Sequence, residues 1–241
     1  MESDFMKGHL IVFEGICCSG KTTIFNPICE QFPVVKLQES FYAATDPPPP
    51  PTTPAEAIRN DAYYLALDEQ RWQAATAIVN SGRHLLAERC VLGTISICYG
   101  YQPIYRSYPA AMDVLMKSLE RGWFAAPTAY LWFKTDLEVI QTRLRDKQAR
   151  RHLVGEGWTH PEALELQHQL LERYFAITKT PVYIIDGNAS LSERMEAVYS
   201  RIRSILHEPA HDVYPDPLAH SRQMIRFLQR SVDEMNERGC V

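Results

Sequence analysis

Gly15-Ile16-Cys17-Cys18-Ser19-Gly20-Lys21-Thr22 fits the pattern G-x-x-x-x-G-K-[ST] at every position. Residues of these types at this spacing do anion chemistry. Glycines turn backbone N–H groups inward, and the positive end of a following helix adds to them, so that the loop cradles a polyphosphate. Lys21 is placed to reach the outer phosphates, the Thr22 hydroxyl to ligate Mg²⁺, and Thr23 extends the cradle. Two elements must hold such a loop. Before it, the apolar run from His9 to Phe13 reads as a buried strand. After it, Ile24 to Cys29 opens a helix with Pro27 expected in the first turn.

The rest of the chain alternates strand and helix. Short strands are expected at Val34–Leu37, Leu85–Ala87, Thr128–Phe133 and Val182–Asp186. Between them lie a long helix over Ala55–Ser81 with a break near Asn60, one or two helices over residues 94–122 broken near Pro103, a helix from Asp136, another from Pro161 to about Ile177, and a closing helix from an N-cap at Ser192 to Leu206. This order implies a three-layer α/β/α fold around a five-stranded parallel sheet. Right-handed crossovers collect all the strand C-terminal ends on one rim, where ligands bind. Gly15–Thr22, Glu39, Glu88, Arg89 and Asp186 all fall on that rim. Five consecutive prolines, Pro47–Pro51, favour a stiff polyproline II segment and are read as a surface spacer.

Composition limits the partners. With 46% hydrophobic and 22% charged residues in 241, the chain is globular, and its net charge of −4 gives no general attraction to a nucleic acid polymer or an anionic membrane. No run has the length of a membrane-spanning helix, and Met1–Phe5 lacks a signal pattern. The six cysteines have neither zinc spacing nor the density of a disulfide scaffold, so a reducing, cytoplasmic location is expected. Adjacent thiols at a helix N-terminus, Cys17 and Cys18, raise the further expectation of lowered pKa and sensitivity to oxidation.

The chain resembles the thymidylate kinase and deoxynucleoside kinase group of P-loop phosphotransferases over about residues 8–206. Phe13-Glu14-Gly15 leading into Ser19-Gly20-Lys21-Thr22-Thr23 is similar to the opening of thymidylate kinases. Leu86-Ala87-Glu88-Arg89 resembles their strand-borne D-R pair and equally the E-R-S of deoxynucleoside kinases; Leu67–Trp72 resembles the segment that supplies a phosphate-binding arginine. The resemblance implies ATP and Mg²⁺ as cofactors, Lys21 as a catalytic cation, Glu88 as an organiser of Mg²⁺ or the acceptor, and Arg89 and Arg71 as grips on an acceptor phosphate. Glu39 stands where deoxynucleoside kinases carry the carboxylate that takes the acceptor proton. Basic residues Arg143, Arg145, Lys147, Arg150 and Arg151 resemble the kinase lid, here about 143–158, with Arg145 and Arg150 the preferred inward pair. Among Phe41, Tyr42, Tyr63, Trp72, Tyr99 and Tyr101, with Gln102 beside them, a flat base could stack; Phe41, Tyr99 and Gln102 are the candidates chosen.

The chain departs from thymidylate kinases at Cys17, where they carry an acid, and at Cys18. It also adds a linker and helix over residues 207–241, whose stripe Met224, Ile225, Leu228, Val232 and Met235 serves either intramolecular packing or a homodimer. The activity expected is phosphoryl transfer from ATP to a nucleoside monophosphate. Transfer to the 5′-hydroxyl of a nucleoside or another small alcohol is the alternative among enzymes, and a nucleotide-binding interaction protein the alternative from another class.

Overall fold

The computed structural model describes residues 7–149, 160–214, 216 and 218–237. Five strands, β1 (Leu10–Glu14), β2 (Val35–Leu37), β3 (Leu85–Glu88), β4 (Ala129–Lys134) and β5 (Val182–Asp186), form one parallel sheet in the order β2-β3-β1-β4-β5. All five residues of β1 are buried, the apolar Leu10–Phe13 and the acidic Glu14, because a central parallel strand has helices above and below it. The period of two sorts them: Leu10 and Val12 enter one core, Ile11 and Phe13 the other. Register sets Val12 opposite Ala87 on one side and Tyr130 on the other.

The core on the Ile11 side is closed by α1 (Lys21–Cys29) and α9 (Leu191–His207), through Ile24, Phe25, Val198 and Ile202. The larger core on the opposite face takes α3 (Pro54–Asn80), α4 (Val91–Gly100), α6 (Tyr108–Leu119) and α8 (Pro161–Phe175). Two short helices, α2 (Ser40–Ala43) and α5 (Gln102–Tyr105), and α7 (Leu137–Ala149) lie at the rim. The last described helix, α10 (Ala219–Glu237), lays Met224, Phe227, Leu228 and Met235 into the larger core against α6, and Tyr108 and Ser231 share a hydrogen bond of 2.6 Å between their hydroxyls. Its apolar stripe is therefore satisfied within the chain. Among the described residues no helix is long and apolar enough to cross a membrane.

Four local expectations are corrected. α3 runs unbroken through Asn60, because that side chain donates 2.8 Å to the Pro49 carbonyl instead of competing for its own helix's backbone. Residues 91–119 make three helices, parted at Tyr101 and at Arg106, whose φ of 51° ends α5. The N-cap of α9 is Ser190, not Ser192: Ser190 and Glu193 bond reciprocally as a capping box. Pro27 sits well inside α1, which ends two residues later at Cys29.

Candidate active site

The phosphate loop joins β1 to α1 through two glycines in a positive-φ backbone that L side chains rarely adopt. Gly15 has φ +145° and lies so close to β4 that a Cβ would stand 2.7 Å from the Phe133 carbonyl oxygen. Gly20, φ +97°, is the N-cap of α1, and a Cβ there would stand 2.0 Å from Nη1 of Arg194. Lys21, buried, folds its ammonium back into the loop and donates to the carbonyls of Gly15 (2.7 Å) and Ile16 (2.9 Å) and to Ser19 Oγ (3.2 Å). Burial, with the nearby Arg89 charge, lowers its pKa to about 8. Cys17 and Cys18 belong to the same loop, but the expected acidity is reversed: the hydrogen bond between the two thiols, and then burial, push the Cys17 thiol well up.

Three carboxylates meet this loop from neighbouring strands. Thr22 Oγ1 donates to Glu88 Oε1 at the end of β3, while Glu88 Oε2 is buried without a hydrogen-bond partner. Burial and the nearby Glu39 charge raise the Glu88 pKa. This hydroxyl and carboxylate pair is the hard-oxygen donor set that suits Mg²⁺. Glu39, just past β2, accepts from Arg89 Nε at 2.6 Å. Arg89 reaches it from a left-handed backbone, φ 57°, with its aliphatic stem lying over Gly93. Glu14 is fully buried beneath, its Oε1 accepting the Cys90 N–H at 2.7 Å.

Cations cover the loop from above. Arg143 on α7 donates to the carbonyls of Cys18 (3.2 Å) and Gly187 (2.8 Å). Arg194 on α9 sits against Gly20 with Nη1 buried and unpartnered. Burial and the neighbouring Arg143 charge both lower its pKa. Two guanidinium groups that repel one another over an amide-lined loop make a site for a polyanion. Arg194 was missed by sequence reasoning, since one arginine in a surface-type helix carries no local signal. Arg145, one of the preferred inward pair, is exposed and donates to Thr142 of its own helix, because two residues from Arg143 is the far side of α7. Arg150 lies outside the described residues.

A cavity of about 690 Å³ opens beside the loop. Its near end is made by Cys17, Cys18, Gly20–Thr23, Arg143, Leu144 and Arg194. Its middle holds Glu39, Ser40, Phe41, Tyr42, Arg89 and Thr94, and its far end Asn60, Asp61, Tyr64, Ile97, Cys98 and Tyr101. Pro47, Pro48, Pro50 and Pro51 form one side, so the proline run is part of the site rather than a spacer. Of the three aromatic and amide candidates, Phe41 lines the cavity and Tyr99 and Gln102 do not. The face of α4 that carries Thr94, Ile97, Cys98 and Tyr101 turns Tyr99 into the core, edge-on to Tyr108 at 5.1 Å. Gln102 Oε1 accepts the Tyr108 N–H at 3.0 Å. Arg71 is also off the cavity wall: buried, it pairs with Asp68 at 2.5 Å and donates 3.1 Å to the Glu88 carbonyl. Asp68 in turn accepts from Thr94, so the group braces the end of β3. Tyr63 packs edge-on against Tyr64 and Trp72 donates to the Ala125 carbonyl, both away from the cavity.

No protein-family model and no curated protein matches this sequence. Solved structures do match its fold. Deoxyadenosine kinase from M. mycoides with bound dATP is similar with a TM-score of 0.62 and 11% identity, and with bound dCTP with a TM-score of 0.59 and 12% identity, covering 81% of this chain and 99% of that chain in both cases. Thymidylate kinase from Candida albicans is similar with a TM-score of 0.60 and 14% identity over 86% of this chain and 96% of that one. The chain has the fold of the deoxynucleoside and thymidylate kinase group of P-loop kinases.

Proposed function

We propose that this protein transfers the γ-phosphoryl group of ATP to a hydroxyl of a nucleoside. The observation that carries this reading is the division of charge along the cavity. Among its described lining residues the cations are Lys21, Arg143 and Arg194 at the loop and Arg89, which is already paired with Glu39. Beyond them the lining is neutral or acidic. A monophosphate seated there would face Glu39 and Asp61, while a neutral sugar hydroxyl meets a carboxylate able to accept its proton.

In this reading Lys21 exchanges the Gly15 and Ile16 carbonyls for phosphate oxygens, and the loop N–H groups hold the polyphosphate in line. Arg143 and Arg194 bear on the charge that develops on the transferring group. Glu39 takes the acceptor proton, and Arg89 holds Glu39 in place through Nε. Thr22 and Glu88 would hold Mg²⁺, which neutralises phosphate charge when bound.

A nucleoside monophosphate is the second reading, supported by Arg89, which lines the cavity and whose Nη1 is buried without a hydrogen-bond partner, a donor of the kind that grips phosphate. The purified protein with ATP, Mg²⁺ and a pool of nucleosides and nucleoside monophosphates separates the two by product mass. New monophosphates support hydroxyl transfer. Diphosphates replace it with the second reading, and no product from either pool overturns both.

A further inference from the structure

Among the described residues lining this cavity, Asp61 is the buried carboxylate with no ion-pair partner. Glu39 is paired with Arg89 and Asp68 with Arg71, while Glu88 is bonded to Thr22 and feels Lys21 and Arg89. Asp61, 7% exposed on the cavity-facing side of α3, is held among the described residues by two neutral donors, the Ser107 hydroxyl at 2.8 Å and the Cys98 thiol. Buried charges are ordinarily paired. Two bound donors leave carboxylate lone pairs unfilled, and both donors orient the group as an acceptor.

The same cavity also has a lining of the contrary kind. Prolines of the 47–51 run offer apolar rings and no N–H to the cavity. The run is fixed at both its middle and its end. Asn60 Nδ2 donates 2.8 Å to the Pro49 carbonyl, and the Thr52 N–H and hydroxyl each donate 2.7 Å to Glu56 in the first turn of α3. A wall that is already ordered loses little entropy when a rigid flat group lies on it. Tyr64 and Tyr101 complete the enclosure.

We propose that the far end of the cavity selects an acceptor carrying a flat heteroaromatic ring with an exocyclic amino group, the ring against the Pro47–Pro51 wall and the amino group donating to Asp61. This rests on the hydroxyl-transfer reading above and names its substrate class. An oxo group in the same place turns lone pairs toward the carboxylate and leaves it unpaired, a mismatch that costs roughly tenfold to hundredfold in affinity.

The test is equilibrium binding of isosteric pairs to the full chain by calorimetry: adenosine against inosine, and 2′-deoxycytidine against 2′-deoxyuridine. The amino member of each pair binds more tightly, by that factor. In Asp61→Asn, whose amide keeps an oxygen for Ser107 and adds an N–H toward the ligand, the preference levels or inverts, with a melting transition confirming that the variant is folded. Equal affinities within both pairs for the wild type, or an unchanged preference in a folded Asp61→Asn, overturn the proposal while hydroxyl transfer stands. Binding of 2-aminoethanol, which has amine and hydroxyl but no ring, as tightly as the nucleosides overturns the part played by the wall. If no nucleoside binds and none is phosphorylated, hydroxyl transfer to a nucleoside falls, and this inference with it.

Discussion

The two ends of the cavity are built on opposite plans. At the loop end, eight consecutive residues supply the amides, the lysine and the hydroxyl, and two arginines from α7 and α9 close over them. At the far end the wall is made of prolines that precede α3, of α3 itself and of α4, and among the described residues its single charged group there is the acidic Asp61. A phosphate chain is the same in every nucleotide, so one contiguous loop can serve it. An acceptor differs from case to case, and it is gripped by side chains that only the tertiary fold brings together.

The sharpest way to break this division is at Lys21. Lys21→Ala is expected to lower ATP-dependent turnover on the order of 10⁴-fold, while calorimetric binding of the nucleoside stays within a factor of about two. Glu39→Gln attacks the boundary between the ends: turnover falls on the order of 10³-fold, and ATP titration by fluorescence is unchanged. Arg194→Ala should cost about 10²-fold in kcat/KM for ATP with the acceptor KM unaltered. A shift in the acceptor KM instead would mean that the two ends are not separable.

Acidity sharpens the same contrast. Lys21 titrates near pH 8 because burial disfavours its charge, so it is protonated below that pH and neutral above it. ATP affinity measured by calorimetry is therefore expected to fall above pH 8, by up to about tenfold per pH unit, and ATP binding there to take up a proton. Nucleoside affinity should not follow this profile. The smallest effect belongs to the wall: Asn60→Ala removes its anchor, raises the acceptor KM by severalfold through about 1 kcal/mol of lost hydrogen bonding, and leaves the ATP KM alone.

The same asymmetry governs what could be read from the sequence. The loop, the five strands and their parallel order follow from contiguous patterns, namely glycine spacing and apolar runs such as Leu10–Phe13. Glu39, Glu88 and Arg89 follow too, because strand ends in a parallel sheet share a rim. The far wall was misread where one residue of helical phase decides the face. Tyr99 and Tyr101 look alike in sequence, yet the first packs on Tyr108 and the second lines the cavity. Arg145 and Arg143 differ in the same way. Arg71 looks like an open phosphate grip until its partner Asp68, one turn earlier on α3, is seen to occupy it. The proline run gives stiffness in sequence but not direction, and the Asn60 bond that supplies direction is long-range.

Arg89 links the two ends, and its backbone has a consequence for how such a site changes over time. A non-glycine residue in the left-handed region, φ 57°, costs roughly 1–2 kcal/mol relative to glycine. Folding nonetheless favours the arginine over glycine there, because its loss would leave Glu39 unpaired and would take its charge from Glu14 and Glu88, which costs about 3–5 kcal/mol. The strained backbone is thus sustained by the carboxylates around it, and a lineage that lost Glu39 would be expected to open position 89 to glycine.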